Sequence, residues 1–85
     1  MASYRIVFKR SVAKDLRSIP KKDIQGILRR IEGLASDPRP VGAEKLTSSE
    51  KVRIRQGKYR ILYTIEDEII TITIVRVAHR RDVYR

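Results

Sequence analysis

The chain has 85 residues, and its 20 Lys and Arg outnumber its 10 Asp and Glu, which gives a formal net charge of +10 at pH 7. This length allows one small domain, residues 1–85, and the charge favours an anionic partner such as a nucleic acid or an acidic protein. The absence of cysteine excludes disulfides and thiolate metal sites, and without a signal-like or membrane-spanning segment we expect a cytoplasmic protein.

The N-terminal half predicts one strand followed by two helices. Residues 4–8 are aromatic and β-branched and predict the first strand. Ser11 is the expected N-cap of a helix whose apolar face carries Val12, Leu16 and Ile19. Pro20 ends that helix and opens the next, which an apolar stripe predicts over residues 21–36. A short turn between them suggests a helical hairpin.

The C-terminal half predicts a three-stranded antiparallel meander over residues 51–56, 59–66 and 69–78. Its turns, Gly57-Lys58 and Asp67-Glu68, are too short for parallel connections. The helices must cover one face of the sheet to bury their apolar stripes. The expected fold is therefore α+β: an N-terminal strand, a two-helix hairpin and the meander, forming one twisted sheet with the helices on one face.

Residue 76 interrupts the pattern of the last strand. Arg76 falls on the same alternating face as Ile72 and Ile74, which are expected to enter the core. Either a bulge lies between them or Arg76 clears the edge of the core.

Residues 51–60 carry five cationic side chains and no acid. Lys51, Arg53 and Arg55 alternate with two apolar residues, which predicts a strand with one charged face. One interpretation is that the cations only protect an edge strand from aggregation. The other is that they bind the phosphates of a nucleic acid, with Arg60 added across the tight turn.

The side chains available for chemistry are compatible with RNA cleavage without a metal ion. With one histidine, no cysteine and scattered carboxylates, a metal site is not expected. RNA supplies its own nucleophile, the 2′-hydroxyl, and arginines can stabilise the charge on the phosphorane. A lysine or tyrosine among arginines could act as the base, because neighbouring cations lower the pKa of either group.

Two motifs resemble the RelE toxins of the RelE/ParE superfamily. They are Arg-x-Gly-x-Tyr-Arg at residues 55–60 and His-Arg-x-Asp-Val-Tyr at residues 79–84, and Lys45-Leu46, the first strand and the helix at 11–16 are also similar. The resemblance covers essentially the whole chain. It implies the α+β fold predicted above and the toxin of a type II toxin–antitoxin pair, one that cuts mRNA in the ribosomal A site through the 2′-hydroxyl without a metal or other cofactor.

The resemblance also implies roles for five residues. Lys51 and Arg53 match the basic pair on the strand, Arg60 the arginine at the scissile phosphate, Arg80 the arginine for phosphate stabilisation or acid catalysis, and Tyr84 the tyrosine that stacks on an mRNA base. Arg53 replaces the lysine of other members, and a guanidinium stays protonated. The base is therefore left to Lys51, to Tyr84 or to water.

Further contacts to RNA are expected from the remaining polar residues of the matched segments: Lys45, Arg55, Lys58, His79, Arg81 and Arg85. The role of His79 stays open, because members of the family vary there. The implied partners are a RelB-like antitoxin and the ribosome with its mRNA, and neither a membrane nor a small-molecule cofactor is expected. The alternatives are a ParE-like inhibitor of DNA gyrase and a binding module without activity.

Overall fold

The fold is a five-stranded mixed sheet with two helices on one face. The structure is a computed structural model that describes residues 3–79. Its elements are β1 (Arg5–Phe8), α1 (Arg10–Arg17), α2 (Lys21–Gly33), β2 (Glu44–Lys45), β3 (Val52–Gln56), β4 (Tyr59–Glu66), a 3₁₀ turn (Asp67–Ile69) and β5 (Thr71–His79). The predicted α+β class is confirmed, and so are the turns that delimit β3 and β4.

The sheet has the strand order β1-β5-β4-β3-β2, so β4 is its central strand. The β3–β4 and β4–β5 pairs are antiparallel, as the short turns predicted, and β2 also pairs antiparallel with β3. The first strand, β1, pairs parallel with β5, with Ile6 opposite Ile72. Strand β4 pairs with β5 over residues 59–66 and with β3 over residues 59–63, so its first five residues have a neighbouring strand on each side.

The hydrophobic core lies between the helices and one face of the sheet. Val12 of α1 and Ile27 and Ile31 of α2 are buried against inward-facing residues of three strands: Ile54, Ile61, Tyr63, Ile72, Ile74 and Val77. The apolar residues that alternate along the strands therefore pack against the apolar stripes of the two helices. Within residues 3–79, the opposite face of the sheet carries no helix.

Three helix boundaries differ from the prediction, and one is the end of α1, which lies at Arg17 and not at Pro20. Ser11 is not an N-cap: α1 begins at Arg10 after Lys9, and no side chain caps it. The second helix ends at Gly33 rather than Ser36. The apolar period continues past that end because Leu34, although it lies in a turn, is still buried in the core.

The strands differ from the prediction as well: β1 begins at Arg5 rather than residue 4, β3 begins at Val52 rather than residue 51, and β5 ends at His79 rather than residue 78. The strand β2 was not predicted, since two residues are too few to show a period. The last strand begins at Thr71 rather than residue 69, because Ile69 completes the 3₁₀ turn and Ile70 follows with φ 49°. A positive φ is uncommon for a β-branched residue. Ile70 is fixed in part by its carbonyl, which accepts a hydrogen bond from the Arg5 N–H at 2.9 Å.

A polar network ties the start of the chain to the β4–β5 turn. The Tyr4 hydroxyl donates to Asp67 Oδ1 at 2.6 Å, and Arg39 Nη2 donates to Asp67 Oδ2 at 2.9 Å. The hydrogen bond from Arg39 is the main reason that the pKa of Asp67 is lowered.

Within the described residues, neither helix is long and apolar enough to cross a membrane.

Replacing Tyr63 with phenylalanine should destabilise the fold by about 1–2 kcal/mol at neutral pH. The buried Tyr63 hydroxyl donates to the Pro38 carbonyl at 2.7 Å, and the variant leaves that acceptor without this donor. Burial raises the pKa of Tyr63 to about 12. The hydroxyl therefore stabilises the fold fully below the unfolded-state pKa of about 10, and this contribution is lost as the pH rises towards 12.

Urea unfolding of the wild type and of Tyr63→Phe at a series of pH values would test this. The difference in unfolding free energy should shrink between about pH 10 and 12. A difference that stays constant over that interval would contradict the assigned contact.

Candidate functional site

Four arginine side chains lie together on the helix-free face of the sheet. They come from three adjacent strands and are called here the arginine cluster: Arg53, Arg55, Arg60 and Arg76. Residues opposite each other on antiparallel strands share a face, with Cβ atoms about 5 Å apart. Arg55 lies opposite Arg60, and Leu62 lies between Arg53 on one side and Arg76 on the other.

The cluster is suited to binding phosphate. Like charges directly opposite on two strands destabilise a sheet, so an anion between Arg55 and Arg60 would relieve their repulsion. The planar guanidinium group offers parallel N–H donors that match two oxygens of a phosphate. Several such groups on rigid strands can hold a phosphate and stabilise further charge that develops on it.

Arg76 reaches this face because of a bulge in β5. Leu62 lies opposite Arg76 whereas Tyr63 lies opposite Ile74, so Val75 is the extra residue. The bulge moves Arg76 out of the face that Ile74 occupies. This confirms the first of the two explanations that the sequence left open. Arg76 was not among the predicted site residues, although the break in alternation was the signal for it.

Burial within the cluster decreases from the centre to the rim. Arg60 is 7% exposed and Leu62 is 5% exposed, although no helix covers them. Because Arg53 and Arg76 flank Leu62, their aliphatic stems can cover it while the charged ends reach outward. Arg55 is exposed. A guanidinium shielded from water interacts more strongly with an anion than one in solvent, which makes Arg60 the central group.

The carboxylate of Glu44 lies beside the cluster. Glu44 of β2 lies opposite Arg53 and forms an ion pair with its Nη2. The Arg53 side chain is 12% exposed and the Glu44 side chain 65% exposed. Sequence reasoning missed Glu44, because no pattern in a two-residue strand marks which face it occupies.

The three lysines among the predicted site residues lie in different places. Lys51 is exposed immediately before β3, two residues from Arg53 and on the same face by alternation. Lys45 lies opposite Val52, on the face away from the cluster. Lys58 is exposed in the β3–β4 turn and lines a cavity of about 330 Å³ with Asp23.

His79 lies on the helical side of the sheet, at the end of β5. It is opposite Tyr59, and the two rings meet edge to face with centroids 5.9 Å apart. The Tyr59 hydroxyl donates to Asp23 Oδ2 at 2.9 Å, and this hydrogen bond is the main reason that the pKa of Tyr59 is raised. Tyr59 is thereby held as a neutral phenol that anchors the hairpin to α2.

The remaining predicted residues lie outside the described part of the chain: Arg80, Arg81, Tyr84 and Arg85. Over residues 3–79, no group of three or more His, Asp or Glu side chains is arranged to hold a metal ion. The chemistry that the described face offers is therefore that of arginines with one carboxylate at their border.

Comparison with known proteins places the chain among toxins. The model of the family "ParE toxin of type II toxin-antitoxin system, parDE" matches residues 6–84. The toxin RelG of Mycobacterium tuberculosis is 33% identical over 84 residues, covering 96% of this chain and 97% of that protein.

Solved structures agree with this placement. The fold is similar to a chain of the toxin–antitoxin complex RelBE2 from Mycobacterium tuberculosis, with a TM-score of 0.83 at 28% identity, covering 92% of this chain and 99% of that chain. It is also similar to a chain of the archaeal RelE–RelB complex from Pyrococcus horikoshii, with a TM-score of 0.82 at 26% identity, covering 95% and 99%.

Proposed function

Because this chain belongs to the ParE toxin family of type II toxin–antitoxin systems, within the RelE/ParE superfamily, we propose that it is a ribosome-dependent endoribonuclease. It would cut mRNA in the ribosomal A site, in the cytoplasm, and so inhibit translation. The observation that carries the proposal is the arginine cluster, which spans three adjacent strands on a face without helices.

The proposed reaction is transesterification within the RNA. The 2′-oxygen forms a bond to the adjacent phosphorus, and the bond from phosphorus to the 5′-oxygen breaks. A base takes the proton of the 2′-hydroxyl, and an acid or water gives one to the 5′-oxygen. Negative charge on the phosphoryl oxygens grows towards the phosphorane, and arginines aimed at it lower the barrier.

The roles proposed for residues 51–76 are argued from their positions in the sheet, and those proposed for Arg80 and Tyr84 from the resemblance of their motif to RelE toxins. Arg60, at the centre of the cluster, would hold the scissile phosphate, with Arg53 beside it and Lys51 at the approach. Arg80 would stabilise the phosphate or protonate the leaving oxygen, and Tyr84 would stack on a base. Arg55 and Arg76 would hold flanking phosphates, since both lie on the same face.

The proposed partner of this toxin in the cell is a RelB-like antitoxin. The two solved structures described above are named as complexes of a toxin with its antitoxin. A net charge of +10 favours an acidic partner. Such an antitoxin would keep mRNA away by covering the arginine cluster or by displacing the C-terminal residues.

A second candidate function is inhibition of DNA gyrase. It is favoured by the description of the matching family model, which names a ParE toxin. A toxin of this kind acts by protein contact and does not need a cluster that can hold a phosphate. Expression in bacteria discriminates the two: DNA damage with intact mRNA would favour the gyrase inhibitor, and cleaved mRNA without DNA damage the nuclease.

Ribosomes programmed with a defined A-site codon provide the direct test. The protein should cut the bound mRNA. Arg80→Ala and Tyr84→Ala should each lose most of that activity, because Arg80 is proposed to stabilise charge on the phosphate and Tyr84 to position a nucleobase of the mRNA. Arg29→Ala, an exposed change on α2, is the control and should cut normally. Normal cleavage by the Arg80 and Tyr84 variants would contradict their proposed roles.

A further inference from the structure

Asp15, in the last turn of α1, forms a hydrogen bond with the strand that carries Arg76. Its Oδ2 accepts the Val77 N–H at 3.1 Å, although the two residues are 62 positions apart in the sequence. The C-terminal end of a helix is an unfavourable place for a carboxylate, because the helix dipole is negative there. The same turn otherwise carries the cations Lys14 and Arg17. The contact with β5 therefore gives this acid a role that helix preferences do not.

The Asp15 carboxylate covers part of the β5 edge that lies beyond β1. Strand β1 ends at Phe8 and pairs with β5 only from Thr71 to Ile74. Across the rest of β5, no strand among residues 3–79 lies on that side. A backbone N–H that is shielded from water needs an acceptor, and Val77 is only 2% exposed. Asp15 supplies this acceptor, and a hydrogen bond to a charged group is stronger than one between neutral groups.

The bulge in β5 turns the Val77 N–H towards this carboxylate. In a regular strand, every second residue presents its backbone groups to the same edge. The carbonyls of Ile70 and Ile74 accept hydrogen bonds from the β1 side, so regular spacing would exclude Val77 from that side. The extra residue Val75 shifts the order by one and also turns the Arg76 side chain to the helix-free face. One shift of register thus produces both the bond to α1 and the place of Arg76 in the arginine cluster.

We infer that Asp15 is a positioning residue, which holds β5 in its bulged register and thereby keeps Arg76 in the arginine cluster. This inference rests on the proposed function, in which Arg76 holds a phosphate that flanks the scissile one. Helix α1 packs on the face of the sheet opposite to the cluster, so Asp15 acts through the backbone of β5 and not by touching the RNA. Without this bond, the bulged segment is held less firmly on its β1 side, and Arg76 spends less time aimed at the phosphate.

Steady-state cleavage of mRNA on programmed ribosomes by Asp15→Ala tests the inference. An arginine that holds a flanking phosphate contributes binding that is equal in the ground state and the transition state, so its loss raises KM and leaves kcat nearly unchanged. We expect KM to rise about tenfold in Arg76→Ala and by a smaller factor in Asp15→Ala. A variant that had merely lost stability would instead show a lower kcat, because fewer molecules would be folded, and that result would overturn the inference.

The double variant Asp15→Ala/Arg76→Ala shows whether the effect passes through Arg76. If it does, the two changes are not additive, and the double variant should have the KM of Arg76→Ala within about twofold. Additive effects would overturn the inference. Asp15→Asn should recover most of the wild-type KM, because its amide oxygen still accepts the Val77 N–H. Glu32→Ala is the matched control, since it removes the same charge from an exposed position of α2 and should keep the wild-type KM.

Amide hydrogen exchange gives a readout that needs no ribosome. The Val77 N–H should exchange about tenfold faster in Asp15→Ala than in the wild type, while the amides of β4 change less. Unchanged exchange at Val77, or equal acceleration throughout β4, would overturn the inference. A wild-type protein that leaves mRNA intact would overturn the proposed function, and the role of Asp15 in cleavage with it, whereas the exchange result would still decide whether Asp15 holds β5.

Discussion

Replacing Arg60 with alanine should slow mRNA cleavage by about 10²–10³-fold, the loss typical of removing one preorganised donor from a developing anion. Arg60 lies on the central strand, opposite Arg55 and diagonal to Arg53 and Arg76. It is 7% exposed, which makes it the most buried residue of the cluster. The measurement is the single-turnover rate on programmed ribosomes.

A lysine variant separates charge from geometry at this position. Arg60→Lys keeps the positive charge but lacks the fork that binds two phosphate oxygens, so its rate should fall between those of alanine and wild type. Arg5→Ala is the control, because Arg5 is exposed on the edge strand β1 and should be dispensable. Full activity in Arg60→Ala, with an unchanged unfolding midpoint, would show that Arg60 is not part of the site.

Replacing Ile61 with alanine should destabilise the protein by about 2–5 kcal/mol, through lost burial and the cavity that remains. Ile61 is fully buried on the helical face of β4, between Ile54 of β3 and Val77 of β5. Small domains have little stability in reserve, so this loss should leave much of the protein unfolded at 37 °C. Urea or thermal unfolding followed by circular dichroism measures it.

The control for this change is Ile69→Ala. It removes the same atoms from a side chain that is 62% exposed in the 3₁₀ turn, so it should alter stability by no more than about 0.5 kcal/mol. A loss of less than about 1 kcal/mol in Ile61→Ala would mean that the helices do not pack on this face as described.

Features that depend on residues close together in the sequence were predicted correctly, whereas features that depend on contacts between distant residues were not. The β3–β4 hairpin was predicted correctly because alternation and the Gly57-Lys58 turn are local, and Gly57 adopts φ 58° there. The N-cap predicted at Ser11 was wrong. Serine can cap a helix, but the start of α1 is set by how the helix packs on β5. The last residues of the chain lie outside the described residues, so the roles of Arg80 and Tyr84 stay predictions.

The sequence by itself determined the class of fold, the strand with a charged face and the family, because composition, periodicity and short motifs are properties of neighbouring residues. Only the tertiary structure decided which side chains meet. The parallel pairing of β1, the bulge at Val75 that adds Arg76, and the pairing of Glu44 with Arg53 all depend on the register between strands. Register is set by the packing of the whole sheet, so no local pattern could place a carboxylate beside the arginines.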